Sequence, residues 1–286
     1  MNCGWSWTSW LTVVPSLSQG RAGEPRLHAD ERGRYAPLYL AVAEAAQRVG
    51  ATAIGLIDVG RAAGLNLNLD HVGIAYDHGA LLGMSESPVQ RAFMPVKHST
   101  VPSTPLPEVV ARLAVDRAPL DVTDEDVVGR LCASASSDSA DELREELRLA
   151  ASLPRVLLAG DLVDLLPVAV ERVPAGALPV VMTTWSLSRL KPVRRVRFWE
   201  RLQDAAGTSP LAWVSVEGVG VAPHVPTLGD RPASGHSIIG LGLYDGSAWS
   251  VEALGRCWSR GRMIEWGHGP RSVSGTTRTP SGRVYA

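Results

Sequence analysis

Cysteine is scarce in this 286-residue chain, with Cys3, Cys132 and Cys257 odd in number and far apart. That pattern argues against a disulfide scaffold and fits a reducing, cytoplasmic setting. No run of about 18 apolar residues occurs, so neither a membrane-spanning helix nor a membrane partner is expected. An excess of either charge is also missing, since 28 Lys and Arg against 29 Asp and Glu leave a formal net charge of -1. Without a global basic field, nucleic acid is not an expected partner. Lysine occurs only at Lys97 and Lys191, and neither lies in a G-x-x-x-x-G-K-[ST] loop, which removes the usual nucleotide triphosphate reading. H-E-x-x-H and G-x-S-x-G are absent too, and with them the sequence anchors of zinc peptidases and α/β-hydrolases. His28, His71, His78, His98, His224, His236 and His268 have no paired ligand spacing, so no metal site is expected.

What is present is an alternation of helical and strand patterns. Residues 1–26 hold Trp5, Trp7 and Trp10 without the basic start or apolar segment of a secretory signal, and are expected to be unstructured. Residues 27–266 are expected to form a single domain, and residues 267–286 a loose tail. Leu38, Leu40, Ala41, Val42, Ala45 and Val49 fall largely on one face of a helix over residues 35–49, closed by Gly50. Residues 53–59 read as a strand buried on both faces. Residues 73–107, rich in Gly, Ser and Pro, read as an irregular insertion. Regular pattern returns as strands over 109–115, 155–159, 178–183 and 211–216, with helices over 141–151 and 193–206. The order predicts an α/β fold with a Rossmann-like, mostly parallel sheet and helices on both faces. Residues 238–244, 249–254 and 263–266 read as antiparallel C-terminal strands.

The sharpest local signal is IDVGRAAGLNLNLD at residues 57–70. A buried strand ends at Asp58, and Gly60 and Gly64 bracket a tight turn where a ligand can approach bare main chain. A helix starting at Leu65 would add free N–H groups for an anionic group, and ligands of parallel sheets gather at such carboxyl ends. The loop reads G-x-x-x-G with Ala62 at its middle, not G-x-G-x-x-G, which disfavours NAD.

The segment D-V-G-R-A-A-G at 58–64 resembles the acidic-x-Gly-x-Gly-x-Gly loop of class I S-adenosylmethionine-dependent methyltransferases, with Ala62 in place of the central glycine. LAVDRAPLDVTD, RVLLAGDLVDLLP, VVMTTWSLSRL and LAWVSVEG follow in the order of the second to fifth strands of those enzymes. More closely, DVGRAAGLNLNLD, Asp116 with PLDVTD, AGD, the Trp185-Ser186 loop, WVSVEG and GRMIEW resemble a bacterial family, domain of unknown function family 2332, over residues 28–266. Members of that family look like Rossmann-fold methyltransferases.

The resemblance implies S-adenosylmethionine as cofactor and a small molecule as methyl acceptor. It implies a cofactor site of Asp58, Gly60, Arg61, Ala62, Gly64, Asn66, Asp116, Gly160 and Asp161. Asp116 would bond the ribose hydroxyls, Asp161 would lie beside the adenine, and Arg61 would either crowd the methionine end or clamp its carboxylate. Trp185, Ser186 and Tyr76 would lie on the substrate side. No residue is singled out as catalytic, and an N-P-P-Y-type loop is missing, so nucleobase amines are not expected acceptors. The family usually carries a helical region ahead of the segment matching residues 28–50, and that region is missing from this sequence. A truncated or non-catalytic Rossmann module, binding a nucleoside-like metabolite or a protein partner, is therefore the competing expectation.

Plainer readings stand beside these. Gly60 and Gly64 could serve a turn with no ligand. Asp116 lies more than fifty residues after Gly60, so its ribose role requires an inserted segment between them. Asp161 could cap a helix, Asn66 and Asn68 could act as caps, and Tyr76, Asp77 and His78 could form a solvated turn. Trp185 could be a lid over the core, and the basic run from Arg189 to Arg197 a solvated helix face.

Overall fold

The computed structural model describes residues 33–96, 99–267 and 272–273. The expectations for residues 1–26, and most of those for the tail, lie outside the described residues. Helix α1 (Tyr35–Val49) has the expected bounds. Gly50 ends it in a left-handed conformation, φ 64°, and its N–H caps the carbonyls of Ala46 and Gln47. Leu38, Leu40, Ala41 and Val42 are buried, each large apolar side chain being worth about 1.5–3 kcal/mol.

Strand β1 (Ala53–Val59) follows, then a 3-10 turn at Leu65–His71. The expected α-helix from Leu65 does not form, because all five residues of the Leu-Asn-Leu-Asn-Leu repeat are buried and the chain must tighten to place them. Residues 73–107 are more ordered than their composition suggests. They hold β2 (Gly73–Tyr76), β3 (Ala80–Gly83) and β4 (Gln90–Ala92), a small sheet in the order β3-β2-β4, and then β5 (Met94–Pro95).

The chain continues through β6 (Glu108–Asp116), α2 (Glu125–Ala133), α3 (Ser137–Ser152), β7 (Val156–Ala159), α4 (Leu166–Glu171) and β8 (Leu178–Thr184). It ends with α5 (Pro192–Ala206), β9 (Leu211–Gly218), β10 (Ser237–Tyr244), β11 (Trp249–Trp258) and β12 (Met263–Trp266). Of the tail, only Ser272–Val273 is described, and it pairs with β11.

The main sheet runs β7-β6-β1-β8-β9-β10-β11-β12-β5. From β7 to β9 every pairing is parallel, and β10, β11 and β12 continue as an antiparallel meander. The first five principal strands therefore stand in the order third, second, first, fourth, fifth. This is the doubly wound, Rossmann-like arrangement, with its reversal of direction at β1 and β8.

Alternating side chains feed two cores, as strands buried on both faces must. Ile54, Leu56, Val180, Met182, Val214 and Val216 pack with α1 on one face. Ile57, Val59, Val181 and Trp213 pack with Phe198, Trp199 and Leu202 of α5 and Ala169 of α4 on the other. A third cluster joins Ala63 and Leu65 to Leu131 of α2 and to Leu147 and Ala150 of α3, covering the loop after β1.

Candidate functional site

The carboxyl ends of β1, β6, β8 and β9 lie side by side, and each carries polar residues. Asp58, the penultimate residue of β1, is fully buried. Its Oδ1 accepts the Asn66 side-chain amide at 2.9 Å, while Oδ2 is buried without a partner. Burial raises its pKa to about 7, opposed by the Asn66 bond and the charge of Arg34. Asn66 also reaches Thr184 Oγ1 at the end of β8, at 3.3 Å, and accepts from Arg34 Nε at 2.9 Å.

Behind Asn66 lies a charged knot that sequence reasoning missed. Glu146 of α3 accepts bonds from Arg34, from the Tyr35 hydroxyl and, at 3.0 Å, from Arg91. Tyr35 Oη also lies 2.8 Å from the Leu65 carbonyl oxygen, and Asn68 donates to the Glu146 carbonyl at 3.1 Å. The 3-10 turn is thus fixed by groups from α1 and α3.

Gly60 and Gly64 both have left-handed conformations, φ 78° and 57°. A Cβ on Gly60 would sit 2.7 Å from Ser186 Cβ and 3.2 Å from Leu162, and one on Gly64 would sit 3.0 Å from Ala114 Cβ. Both glycines are therefore demanded by conformation and by protein packing. The Ala62 carbonyl accepts from Leu120 N at 2.8 Å, tying this loop to the one after β6.

Arg61 is buried, and burial together with the charge of Arg189 lowers its pKa to about 10, partly offset by Glu217. Glu217, near the end of β9, is a second residue that sequence reasoning missed. Its Oε1 accepts the backbone N–H groups of Ser186 at 2.8 Å and Leu187 at 2.9 Å, whereas Oε2 is buried without a partner. Burial raises its pKa to about 7. The available signal was a carboxylate inside the apolar run LAWVSVEG.

Asp116 ends β6, which pairs directly with β1, so residues 60–107 do form an insertion between adjacent strands. Its Oδ1 accepts Ala118 N at 2.9 Å and its Oδ2 has no partner among the described residues. Gly160 N donates to the Asp116 carbonyl at 2.9 Å. Asp161 caps the turn into α4, accepting Val163 N at 2.9 Å and Asp164 N at 3.3 Å, and pairs with Arg194 and Arg117. Its carboxylate is engaged by protein groups.

The model of a family described as an uncharacterized protein conserved in bacteria (DUF2332) matches residues 20–266. The chain belongs to this family. No curated protein and no solved structure matches it.

Of the three residues expected to face a substrate, Trp185 of this DUF2332 chain follows β8 with φ 49°, its Nε1 donating to Ser237 Oγ at 2.8 Å and its ring facing the Arg260 guanidinium at 5.7 Å. It packs partly against the core beside α1. Ser186 is buried, with an unpartnered Oγ. Tyr76 belongs to the small sheet, stacked on Phe93 with ring centroids 5.3 Å apart, and Asp77–Gly79 form a 3-10 turn.

Two clefts of about 540 Å³ and 330 Å³ flank the start of β7, one lined by Asp121, Thr123 and Leu153, the other by Arg112, Val156 and Arg172. No sequence-predicted site residue lines either cleft. Among the described residues no group of three or more His, Cys, Asp or Glu side chains is placed to hold a metal ion. No helix there is long and apolar enough to cross a membrane.

Three carboxylate oxygens at these strand ends lack a hydrogen-bond partner, one open to solvent and two buried. Asp116 Oδ2 is open to hydroxyl donors, and Asp58 Oδ2 and Glu217 Oε2 have unmet acceptor capacity. Of the residues expected to hold S-adenosylmethionine, Asp116 keeps an open acceptor, whereas Ser186 and Leu162 close the space beside Gly60 and Asp161 is engaged by Arg194 and Arg117.

Proposed function

We propose that this DUF2332 protein is a S-adenosylmethionine-dependent methyltransferase-like protein acting on a small molecule. The observation that carries the reading is the reversal of strand order at β1 and β8, beside which Asp116 offers an unbonded carboxylate oxygen. Ligands of doubly wound sheets bind at such a crevice.

In this reading the Gly60 to Gly64 main chain faces the methionine part, Asp116 holds the ribose hydroxyls and the Gly160-Asp161 end of β7 lies at the adenine. Bound S-adenosylmethionine would supply an activated methyl group. The protein's contribution is to hold donor and acceptor together, which accounts for a site without a conspicuous catalytic motif. Asn66 orients Asp58, and Glu217 holds the backbone after β8 where the acceptor would lie.

One observation favours the competing reading, a non-catalytic Rossmann module. The space before Gly60 is filled by Ser186 and Leu162, as a simple tight turn requires.

Calorimetric titration of the full chain with S-adenosylmethionine and S-adenosylhomocysteine separates the two. Saturable binding, weakened about tenfold in Asp116→Ala by loss of charged hydrogen bonds, supports the methyltransferase-like reading. Absence of binding, or equal binding by the variant, supports the module.

A further inference from the structure

The loop after β8 is fastened at both ends and strained between them. On one side Trp185 N donates to the Val216 carbonyl at 3.0 Å, and the indole donates to Ser237 Oγ at 2.8 Å. On the other side Leu187 is buried in the core. Arg195 secures that side by donating to the carbonyls of Leu187 and Leu190 at 3.0 Å and of Ser188 at 3.2 Å. Between these anchors the Trp185 backbone has a left-handed φ of 49°, which crowds its Cβ against the carbonyl oxygen that follows. A large side chain keeps such a conformation only where its surroundings hold it there.

One carboxylate oxygen does the holding. Glu217 Oε1 accepts Ser186 N at 2.8 Å and Leu187 N at 2.9 Å. Those bonds seat Ser186 against the glycine loop, its Cβ 2.7 Å from where a Cβ on Gly60 would stand. The seated residue gains no polar contact for its side chain, since Ser186 is 1 % exposed and its Oγ is buried without a partner. The second oxygen of Glu217 is buried without a partner as well. Each unmet group is a cost of the closed arrangement that water would remove on opening. The other side chain over Gly60, Leu162, reaches it only with Cδ1, the far end of a side chain able to turn aside. Backbone strain at Trp185, an unmet Ser186 hydroxyl and a half-satisfied Glu217 therefore all belong to the one contact that covers the Gly60 main chain. A contact carrying three local costs opens more readily than the strands on either side of it.

We propose that Trp185 and Ser186 form a gate over the Gly60 main chain, closed in this structure and latched by Glu217. Opening returns Trp185 to a negative φ, draws Ser186 off Gly60 and releases its amide and hydroxyl to water, while Leu187 and Arg195 keep the rest of the loop in place. A ligand that needs the bare face of Gly60 binds only the open fraction, and its apparent affinity is reduced by that fraction. The gate rests on the loop contacts alone, and S-adenosylmethionine as the ligand it admits rests on the methyltransferase-like reading.

The test uses the full chain and two readouts. Amide exchange is followed residue by residue by NMR in zero to sub-denaturing urea. A gate predicts that Ser186 and Leu187 exchange ~100-fold or more faster than the middle of β9, at rates insensitive to urea, because they open locally. Glu217→Gln, which removes the charge from the latch, should quicken those two amides by about a further tenfold and leave the strand amides unchanged. Exchange at Ser186 and Leu187 that occurs only with global unfolding, sharing the urea dependence of β9, overturns the gate. Calorimetry with S-adenosylhomocysteine compares the parent chain with Ser186→Gly, which uncovers Gly60 and is expected to bind about tenfold more tightly. Equal affinity of the two proteins also overturns the gate and leaves the methyltransferase-like reading standing. Local, urea-insensitive exchange with no S-adenosylhomocysteine binding by either protein supports the gate and removes that reading.

Discussion

Asn66 donates its side-chain amide to Asp58 across 2.9 Å, joining the first residues of the 3-10 turn to the end of the strand that precedes it. One oxygen of Asp58 is satisfied by this bond and the other is buried without a partner. Glu217 has the same asymmetry, one oxygen filled by two backbone N–H groups and the other empty. A pair of half-satisfied buried carboxyls is a source of pH dependence.

Both pKa values are raised by burial to about 7, from 3.8 for Asp58 and 4.5 for Glu217. The folded state therefore holds protons that the unfolded state releases between about pH 4 and 7. The stability linked to these groups is full below about pH 4 and is lost as the pH rises through 7, on the order of a few kcal/mol. Melting temperature is expected to fall from pH 5 to pH 8, and Asp58→Asn should flatten that slope. A slope unchanged in the variant would show that Asp58 is not its origin.

Gly60→Ala meets two obstacles, a left-handed φ of 78° and a Cβ placed 2.7 Å from Ser186 Cβ. The expected loss is about 2–4 kcal/mol in urea unfolding. Adding Ser186→Gly should recover the steric part and leave about 1–2 kcal/mol of backbone strain. Additive losses in the double variant would mean that the two residues do not meet.

Glu146→Ala would take one carboxylate away from the buried Arg34 guanidinium, in a pair whose side chains are only 6 % and 3 % exposed. Destabilisation of about 3–5 kcal/mol is expected, with Glu146→Gln milder because an acceptor oxygen remains. Limited proteolysis should then cut earlier around the 3-10 turn at Leu65–His71, which Glu146 helps to hold through Tyr35.

Removing Glu217 by Ala should free the Ser186 and Leu187 amides from their 2.8 and 2.9 Å bonds. Hydrogen exchange at those two positions is expected to quicken while amides in the middle of β9 stay protected. Uniform loss of protection would instead indicate global destabilisation.

Much of the frame was legible because apolar runs in buried parallel strands are continuous, as at residues 53–59 and 178–184, and because α1 combines a clear helical stripe with a glycine stop. Strands β2 to β4 were not, since three or four residues are too few to carry a period amid Gly, Ser and Pro. Helix α2 was missed although Asp124 caps it through Asp126 N and Val127 N, because nine residues with mixed polarity display no broad stripe. At the site, Asp58, Arg61 and Asn66 could be picked out from one local motif, and the structure brings them to the ends of β1 and β8. Glu146 could not, because its partner Arg34 lies 112 residues away and only the packing of α3 on the 3-10 turn brings them together.

The central claim is tested most directly by a crystal of the full chain soaked with S-adenosylhomocysteine at millimolar concentration. The account predicts electron density for the nucleoside across the ends of β1 and β6, with both ribose hydroxyls at the Asp116 carboxylate. Density in either cleft beside β7, or no density at all, would contradict it.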